Sequence, residues 1–244
     1  MRSSPSYILQ RRSVTWLSVL TLLGATAACN DDSTTPGAGS PAAILQLIDA
    51  APRYPSVNFY VNSTLATVGQ AYGDNTVFLY APASPVPQTF GVRSSTDTTL
   101  LASTQAILGV DTLYTVVFTQ HSVNGGVIVL PDTVSAPLAT NAEFRIVNAA
   151  PSAGGAVDVY ETGVSASLIG ATPVASNVAF EGSSLYIPFT AGTVRIRVTA
   201  VGTQNVLLDL NPVTLTAGQV RTVILLDAVG GGTPLTFVVL QDRG

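Results

Sequence analysis

Few residues in the chain are able to do acid–base or nucleophilic chemistry. The single His is His121, which stands between Gln120 and Ser122. A serine nucleophile needs a base within hydrogen-bond reach, and a zinc site needs several His or Cys ligands. The sequence has no Gly-x-Ser-x-Gly, P-loop or Gly-x-Gly-x-x-Gly pattern to give this His a partner. We interpret His121 as a polar loop residue, with a general base for a Ser as the alternative. The sequence predicts no metal site and no cofactor.

The carboxylates that stand near repeated motifs are Asp49, Asp158 and Glu161. A glycosidase needs two carboxyl groups that face each other across a sugar. Asp158 and Glu161 lie three positions apart on a predicted strand, so their side chains point to opposite faces. We interpret these carboxylates as turn or edge residues that accept backbone N–H bonds. Asp158 is kept as a candidate binding residue, and an enzyme with an Asp-based site is the alternative.

Two tyrosines, Tyr60 and Tyr160, occupy equivalent positions in a repeated motif and are out of phase with its apolar residues. If both rings are exposed, they form a surface that stacks on sugars or peptides. In the alternative, each ring covers the edge of a core and its hydroxyl bonds to the backbone. Tyr60 and Tyr160 are therefore candidate binding residues, and a carbohydrate-binding module is one alternative function.

Charge and composition exclude some classes of partner. Hydrophobic residues make up 47% of the chain and charged residues 10%, which is typical of a folded protein rather than a disordered one. Beyond residue 28, seven Arg face 14 Asp and Glu, so this part carries a net charge of −7. A nucleic-acid-binding protein needs a basic surface to displace counterions. We therefore predict no nucleic-acid partner.

Residues 1–28 have the pattern of a signal peptide. Three Arg precede an apolar run at 14–23, which is too short to span a membrane and is followed by small residues. The only Cys follows at once, and Ala27-Ala28-Cys29 resembles the bacterial lipobox, so we predict lipidation at Cys29. The alternative is an ordinary cleaved signal. Residues 29–42 are rich in Gly, Pro, Ser and Asp and are predicted to form a flexible tether.

Two similar segments account for the rest of the chain. Leu47–Pro52 matches Ile146–Pro151, and Val57–Tyr60 matches Val157–Tyr160. The matches continue to Val129–Asp132 and Val239–Asp242. We therefore predict two domains of ordinary size, at residues 43–136 and 137–244.

Each segment is predicted to be all-β. Val57, Phe59 and Val61 alternate with polar residues, and this period of two marks a half-buried strand. Asn124-Gly125 predicts a hairpin turn, and Thr67–Gln70 is expected to hold one helical turn at most. Many short strands with frequent turn signals favour two tandem antiparallel β-sandwiches of immunoglobulin-like type, with a closed barrel as the alternative.

The Ala-Ala-Pro turn followed by Val-x-Val/Phe-Tyr, present twice, resembles the bacterial family catalogued as domain of unknown function 4397. Asp49 and Asn148 stand where that family usually has His, whereas Asp158 keeps the acidic residue of its Val-Asp-Val-Tyr motif. The resemblance implies an exported protein, often a lipoprotein, that carries the unit in tandem.

The predicted function is non-enzymatic: an envelope lipoprotein that displays two β-sandwich domains for binding, adhesion or envelope structure. Its predicted partners are a membrane, through the lipid anchor at Cys29, and an envelope polysaccharide or protein. The predicted location is the bacterial cell envelope, on its periplasmic or surface side.

Overall fold

The computed structural model describes residues 41–76, 78–121, 124–133 and 136–243. The predicted signal peptide, Cys29 and nearly all of the predicted tether lie outside these residues. The first repeat contains β1 (Ala42–Asp49), β2 (Ser56–Val61), β3 (Thr64–Ala71), β4 (Leu79–Pro82), β5 (Ser84–Ser94), β6 (Leu100–Leu108), β7 (Leu113–His121) and β8 (Asn124–Asp132).

The second repeat begins at the ninth strand and includes a short 3₁₀ turn at Pro151–Ala153. Its strands are β9 (Asn141–Asn148), β10 (Val157–Thr162), β11 (Ala175–Val178), β12 (Ile187–Thr190), β13 (Gly192–Ala200), β14 (Val206–Leu215), β15 (Val220–Leu226) and β16 (Thr236–Arg243).

The strands form four sheets of four, two in each repeat. The first outer sheet has the order β3-β2-β5-β6, and the first inner sheet has the order β4-β1-β7-β8. The second inner sheet is β12-β9-β15-β16, and the second outer sheet is β11-β10-β13-β14. The predicted all-β sandwich class is confirmed, with one difference. The β1–β7 and β9–β15 pairs are parallel, because the chain crosses to the outer sheet between the two strands of each pair.

The alternation of side chains along each inner strand supplies two hydrophobic layers. In β1, Leu45 and Leu47 face the outer sheet of the same repeat, whereas Ile48 joins a separate cluster with Val117, Val147 and Ile224. That cluster contains residues of both inner sheets, so the inner sheets pack face to face. Both repeats belong to one compact unit, stacked as four layers in the order outer, inner, inner, outer.

Thr67–Gln70, which was expected to hold one helical turn at most, contains none, since it lies in β3 and pairs with β2 across a register shift. One local prediction was wrong. Asn124-Gly125 is not the turn of the β7–β8 hairpin, because both residues are in β8 and Gln120 pairs with Gly125. Gly125 serves a different purpose: a Cβ there would lie 2.7 Å from the Phe118 ring and 2.9 Å from the Leu101 carbonyl oxygen.

Replacing Gly125 by Ala is expected to reduce the free energy of unfolding by about 2 kcal/mol, since overpacking a core typically costs 1–3 kcal/mol. The added methyl group must push apart β6 and β8, and one of its neighbours is backbone that cannot rotate away. Urea denaturation followed by circular dichroism measures the change. Gly163→Ala is the matched control, because the nearest atom to its Cβ is 4.0 Å away. Equal effects of the two substitutions would contradict the close approach.

Candidate functional site

The two candidate tyrosines do not form a shared exposed face. Tyr60 is half-buried on the solvent side of the first outer sheet, with the guanidinium carbon of Arg93 5.6 Å from its ring centre. Tyr160 belongs to the second outer sheet and is only 6% exposed. The two rings therefore lie on different sheets at opposite sides of the stack, so they do not form one stacking surface.

An insertion in the second repeat explains the burial of Tyr160. β2 and β3 are joined by Asn62 and Ser63 alone, both at positive φ, whereas β10 and β11 are separated by residues 163–174. The inserted segment is tied to the sheet, because Arg197, which pairs with Tyr160, donates to the carbonyl of Ala166 at 3.0 Å. The equivalent position in the first repeat has no such cover.

Asp158 acts as a backbone clamp. Its side chain is buried, and its two carboxylate oxygens accept the N–H groups of Asn177 at 2.8 Å and Gly202 at 2.7 Å. In the first repeat the side-chain oxygen of Asn58 accepts the N–H of Gly69 at 2.8 Å. Gly69 and Asn177 both have positive φ, so the repeated Asn/Asp holds an irregular edge strand in each domain. This geometry agrees with a turn-capping role for Asp158.

The Ala-Ala-Pro turns contain a buried carboxylate in one repeat and an amide in the other. Asp49 is fully buried; its Oδ1 accepts the N–H of Ala51 at 2.9 Å, and its Oδ2 has no hydrogen-bond partner. Burial raises the pKa of Asp49 to about 7, against the lowering effect of the Ala51 N–H. Asn148 occupies the equivalent place, and its amide nitrogen donates to the carbonyls of Gly155 and Val178.

A polar cluster joins the two repeats at one end of the inner sheets. Arg145 forms a buried ion pair with Asp132, and their side chains are 4% and 2% exposed. The Arg145 guanidinium also donates to Thr222 Oγ1 at 2.8 Å and to Thr115 Oγ1 at 3.2 Å. Because Asp132 and Thr115 belong to the first repeat, this arginine fastens one repeat to the other.

Asp242 and Tyr186 complete this inter-repeat cluster. The Tyr186 hydroxyl lies 3.0 Å from Asp132 Oδ1 and 2.9 Å from Asp242 Oδ2. Burial raises the pKa of Asp132 to about 6, although Arg145 opposes the shift, and burial also raises the pKa of Asp242. Arg145 therefore faces two carboxyl groups whose pKa values are raised by burial, and Arg221 also opposes the rise at Asp242. The sequence identified Asp132 and Asp242 only as the matching ends of the repeats.

The open edge of the first sandwich holds an apolar cavity of about 260 Å³, which we name the edge pocket. It lies between β3 and β4, and its wall is formed by two aromatic side chains, Phe78 and Tyr80, which are 48% and 53% exposed. Its floor is Leu45 and Ala81 from the core, and Val61 and Leu65 close the opposite side. Exposed aromatic groups beside a preformed apolar cavity are typical of a binding site.

A second cavity, of about 240 Å³, adjoins the edge pocket through the same two aromatic residues. Its other lining includes Asp111, Asp132 and Asp242, so it opens onto the inter-repeat cluster. Phe78 and Tyr80 were not among the predicted binding residues. Their alternate spacing around Leu79 was the available signal, because such spacing places both rings on one face.

None of the described candidate binding residues lines the edge pocket. Tyr60 lies on the first outer sheet, Asp158 and Tyr160 lie together on β10 of the second outer sheet, and Cys29 lies outside the described residues. His121 ends β7, and nothing is described of its side chain. Among the described residues no group of three or more His, Cys, Asp and Glu is arranged to hold a metal ion. Nor does this part of the chain contain a helix long and apolar enough to cross a membrane.

The fold places the chain in the class of tandem β-sandwich proteins, and its two repeats share a buried interface. Residues 43–160 and 155–244 each match the family described as Domain of unknown function (DUF4397). The chain belongs to this family and carries two copies of its unit. None of the curated proteins matches the chain.

Proposed function

We propose that this protein is a non-enzymatic binding module of the bacterial cell envelope, exported by its N-terminal signal and anchored by a lipid on Cys29. The observation that carries the binding role is the edge pocket, where Phe78 and Tyr80 stand half-exposed beside an apolar cavity. The two packed repeats supply a rigid frame, and rigid frames are suited to presenting contact residues.

The non-enzymatic part of the proposal is supported by what the buried carboxylates contact. Asp158 clamps backbone N–H groups, and Asp132 is paired with Arg145. Asp49 is fully buried in its turn, so a substrate has no access to its carboxyl group. A catalytic acid or base must lie within hydrogen-bond reach of the reacting group. These carboxylates are thus engaged in holding the fold.

The ligand that best suits the edge pocket presents an apolar or aromatic group. The pocket residues are mostly aliphatic or aromatic, and Asn62 and Thr64 supply the few polar atoms at its rim. Burial of apolar area is the main favourable contribution at such a site, with polar groups fixing orientation. A protein partner of the envelope, inserting one apolar side chain, satisfies this requirement better than a neutral polysaccharide.

Replacing Phe78 and Tyr80 together by Ser is expected to reduce retention on the envelope fraction that binds the protein by at least tenfold. Losing about 1.4 kcal/mol of contact lowers an affinity tenfold, and burying one aromatic side chain is worth roughly that amount. The protein is mixed with peptidoglycan, surface polysaccharide and envelope membrane proteins, and retention is scored in a pull-down at physiological salt.

Tyr60→Ala is the matched control, because Tyr60 is an aromatic residue outside the pocket. Retention that is lost in the pocket variant and kept in Tyr60→Ala supports the proposal. Loss of retention in Tyr60→Ala alone would move the site to the outer sheet, and absence of retention on all three fractions would contradict the binding role.

The anchoring part of the proposal is tested separately in a bacterial host supplied with labelled palmitate. The full chain is expected to incorporate the label, and Cys29→Ala is expected to abolish incorporation, since Cys29 is the only thiol in the sequence. Label on both proteins, or on neither, would contradict a lipid at Cys29.

A further inference from the structure

One end of the first sandwich is the place where the predicted tether reaches the folded part of the chain. Pro41 begins the described residues, and its carbonyl oxygen accepts the N–H of Ala83 at 3.0 Å. The next carbonyl, that of Ala42, accepts the N–H of Asp111 at 2.8 Å. The β4–β5 connection and the β6–β7 connection therefore flank the point at which the tether arrives.

Exposed aliphatic side chains surround this point. Val86, Ile107 and Val110 are 64%, 57% and 55% exposed. β5 and β6 are paired at this end of the sheet, with Ser84 opposite Leu108. Val86 and Ile107 lie close to that pair on adjacent strands, and Val110 follows the end of β6. We name Val86, Ile107 and Val110 the tether-end surface.

The two ends of the first sandwich differ in charge. Asp111 is the one charged residue of the two connections that flank the tether. The three described turns at the opposite end instead expose one charged residue each, namely Arg53, Asp74 and Asp97, and they expose no large aliphatic side chain. Moving a charged group out of water is costly. The tether end is thus the end of this sandwich that can approach an apolar phase.

The length of the tether limits how far this end lies from a lipid on Cys29. Residues 30–40 separate Cys29 from Pro41. A flexible chain of this length has a root-mean-square end-to-end distance of about 20 Å. β1 has eight residues, so the opposite end of the sandwich lies farther from Pro41 by about 25 Å. A lipid on Cys29 therefore holds the tether-end surface close to a bilayer and keeps the charged turns away from it.

We propose that the tether-end surface contacts the membrane that holds the Cys29 lipid, with its three aliphatic side chains among zwitterionic phospholipid headgroups. Residues beyond 28 carry a net charge of −7, so an anionic bilayer would repel the protein. A weak apolar contact is sufficient, because the anchor already holds the surface at a high effective concentration. This inference rests on the lipid at Cys29 in the proposed function. It orients the protein, since β1 then runs away from the membrane.

The test compares a fluorescent probe at the two ends of the full lipidated chain. The thiol of Cys29 carries the lipid, so Val110→Cys supplies the one thiol that reacts with a nitrobenzoxadiazole label. The labelled protein is reconstituted in phosphatidylcholine vesicles with or without a nitroxide on the lipid headgroup. The nitroxide is expected to quench the fluorescence about twofold or more, since interfacial apolar groups lie ~5–10 Å into the headgroup boundary.

Val229→Cys is the matched control, because Val229 is 88% exposed in the loop after β15. That loop lies at the far end of β1, since Tyr72, which forms a bridge with Asp49, donates its hydroxyl to the carbonyl of Asp227 at 2.8 Å. The probe at Val229→Cys is expected to show little quenching. Equal quenching of the two probes would overturn the proposed membrane contact.

A carboxylate placed in the tether-end surface should weaken its contact with the bilayer. Adding Ile107→Asp to the Val110→Cys protein is expected to reduce quenching to the level of the Val229→Cys probe. Leu100→Asp is the matched control, because Leu100 begins the same strand at its other end and is also exposed. Both positions are at the surface, so neither substitution disturbs the core. An equal loss of quenching in the two variants would contradict the proposal.

The labelled-palmitate experiment separates this inference from the anchor on which it rests. A chain without lipid would overturn both, and the free Cys29 thiol of the wild type would then take up the fluorescent label. A chain that incorporates palmitate but shows equal quenching of the Val110→Cys and Val229→Cys probes would overturn the membrane contact alone.

Discussion

Replacing Asp49 by Asn is expected to stabilise the folded protein at pH 8, by about 2–4 kcal/mol, because it removes a buried carboxylate. The side chain is fully buried, Oδ2 has no partner, and burial raises the pKa of Asp49 to about 7. One unit of pKa shift corresponds to about 1.4 kcal/mol between the two protonation states. The asparagine keeps an oxygen for the N–H of Ala51 and carries no charge.

The direction of the pKa shift of Asp49 determines how the stability difference between the variant and the wild type changes with pH. A carboxyl group whose pKa is raised on folding binds its proton more tightly in the folded state than in the unfolded state. The stabilisation from protonated Asp49 is present below the unfolded value near 4 and is lost as pH rises to about 7. The difference in unfolding free energy between Asp49→Asn and wild type should therefore grow from pH 4 to pH 7 and stay constant above.

Urea denaturation at pH 4.5, 6 and 8 measures that difference, and Asp132 titrates equally in both proteins. Asn148→Asp is the reciprocal control, because Asn148 occupies the same position in the second repeat. It should destabilise the protein at pH 8, since the carboxylate cannot donate to the carbonyls of Gly155 and Val178. A destabilised Asp49→Asn, or a difference that does not change with pH, would contradict the argument.

The period of two along the chain predicted most of the strands because it follows from burial on one face. It failed at β3, where Thr64–Ala71 is an edge strand with mixed exposure on both faces. A strand that buries little shows little alternation, so Thr64–Ala71 was not predicted to be a strand. The missing signal reflects weak burial and local irregularity, since β3 pairs with β2 through two register shifts.

The packing of the repeats had a signal in the sequence that alternation alone does not detect. Val223–Leu226 is a continuous apolar run, as is Val116–Phe118. Such runs are typical of strands buried on both faces. The structure gives the reason, since Val223 and Leu225 face one core while Ile224 and Leu226 face the inter-repeat cluster of apolar residues. A second covering layer was therefore predictable, whereas its identity as the other repeat was not.

The surroundings of the candidate site residues depend on structural features that differ between the two repeats. Tyr60 and Tyr160 are equivalent in sequence, yet the segment 163–174 is present in one repeat only. Phe78 and Tyr80 gain their exposure from the gap between β3 and β4, which belongs to the arrangement of two sheets. Equivalent residues thus have different surroundings wherever an insertion or an open edge distinguishes the repeats.

Replacing Arg145 by Met is expected to reduce the free energy of unfolding at pH 8 by about 3–5 kcal/mol, the usual cost of breaking a buried ion pair. The variant leaves Asp132 buried without its ion-pair partner and leaves Asp242 with the attraction of Arg221 alone, and it removes the hydrogen bonds to Thr115 and Thr222. Methionine preserves most of the side-chain volume, so the loss reports charge and hydrogen bonding rather than a cavity. Chemical denaturation at pH 8 and pH 5 gives the two values to compare.

The loss should be smaller at pH 5 than at pH 8. Without Arg145 the pKa values of both carboxyl groups rise further, because the attraction that opposed the effect of burial is gone. At pH 5 the folded variant holds these groups as neutral acids, which removes much of the uncompensated charge. A loss that is equal at both pH values would show that the ion pair contributes only packing.

Arg195→Met is the matched control, because Arg195 pairs with Asp209 in the same protein while their side chains are 25% and 34% exposed. An exposed pair is screened by solvent, so this variant should lose far less stability. Adding Asp132→Asn to Arg145→Met should recover part of the loss, since one unpaired buried charge is then removed. Recovered stability would show that the unpaired buried carboxylate of Asp132 causes the destabilisation. A further loss of stability on adding Asp132→Asn would contradict that explanation.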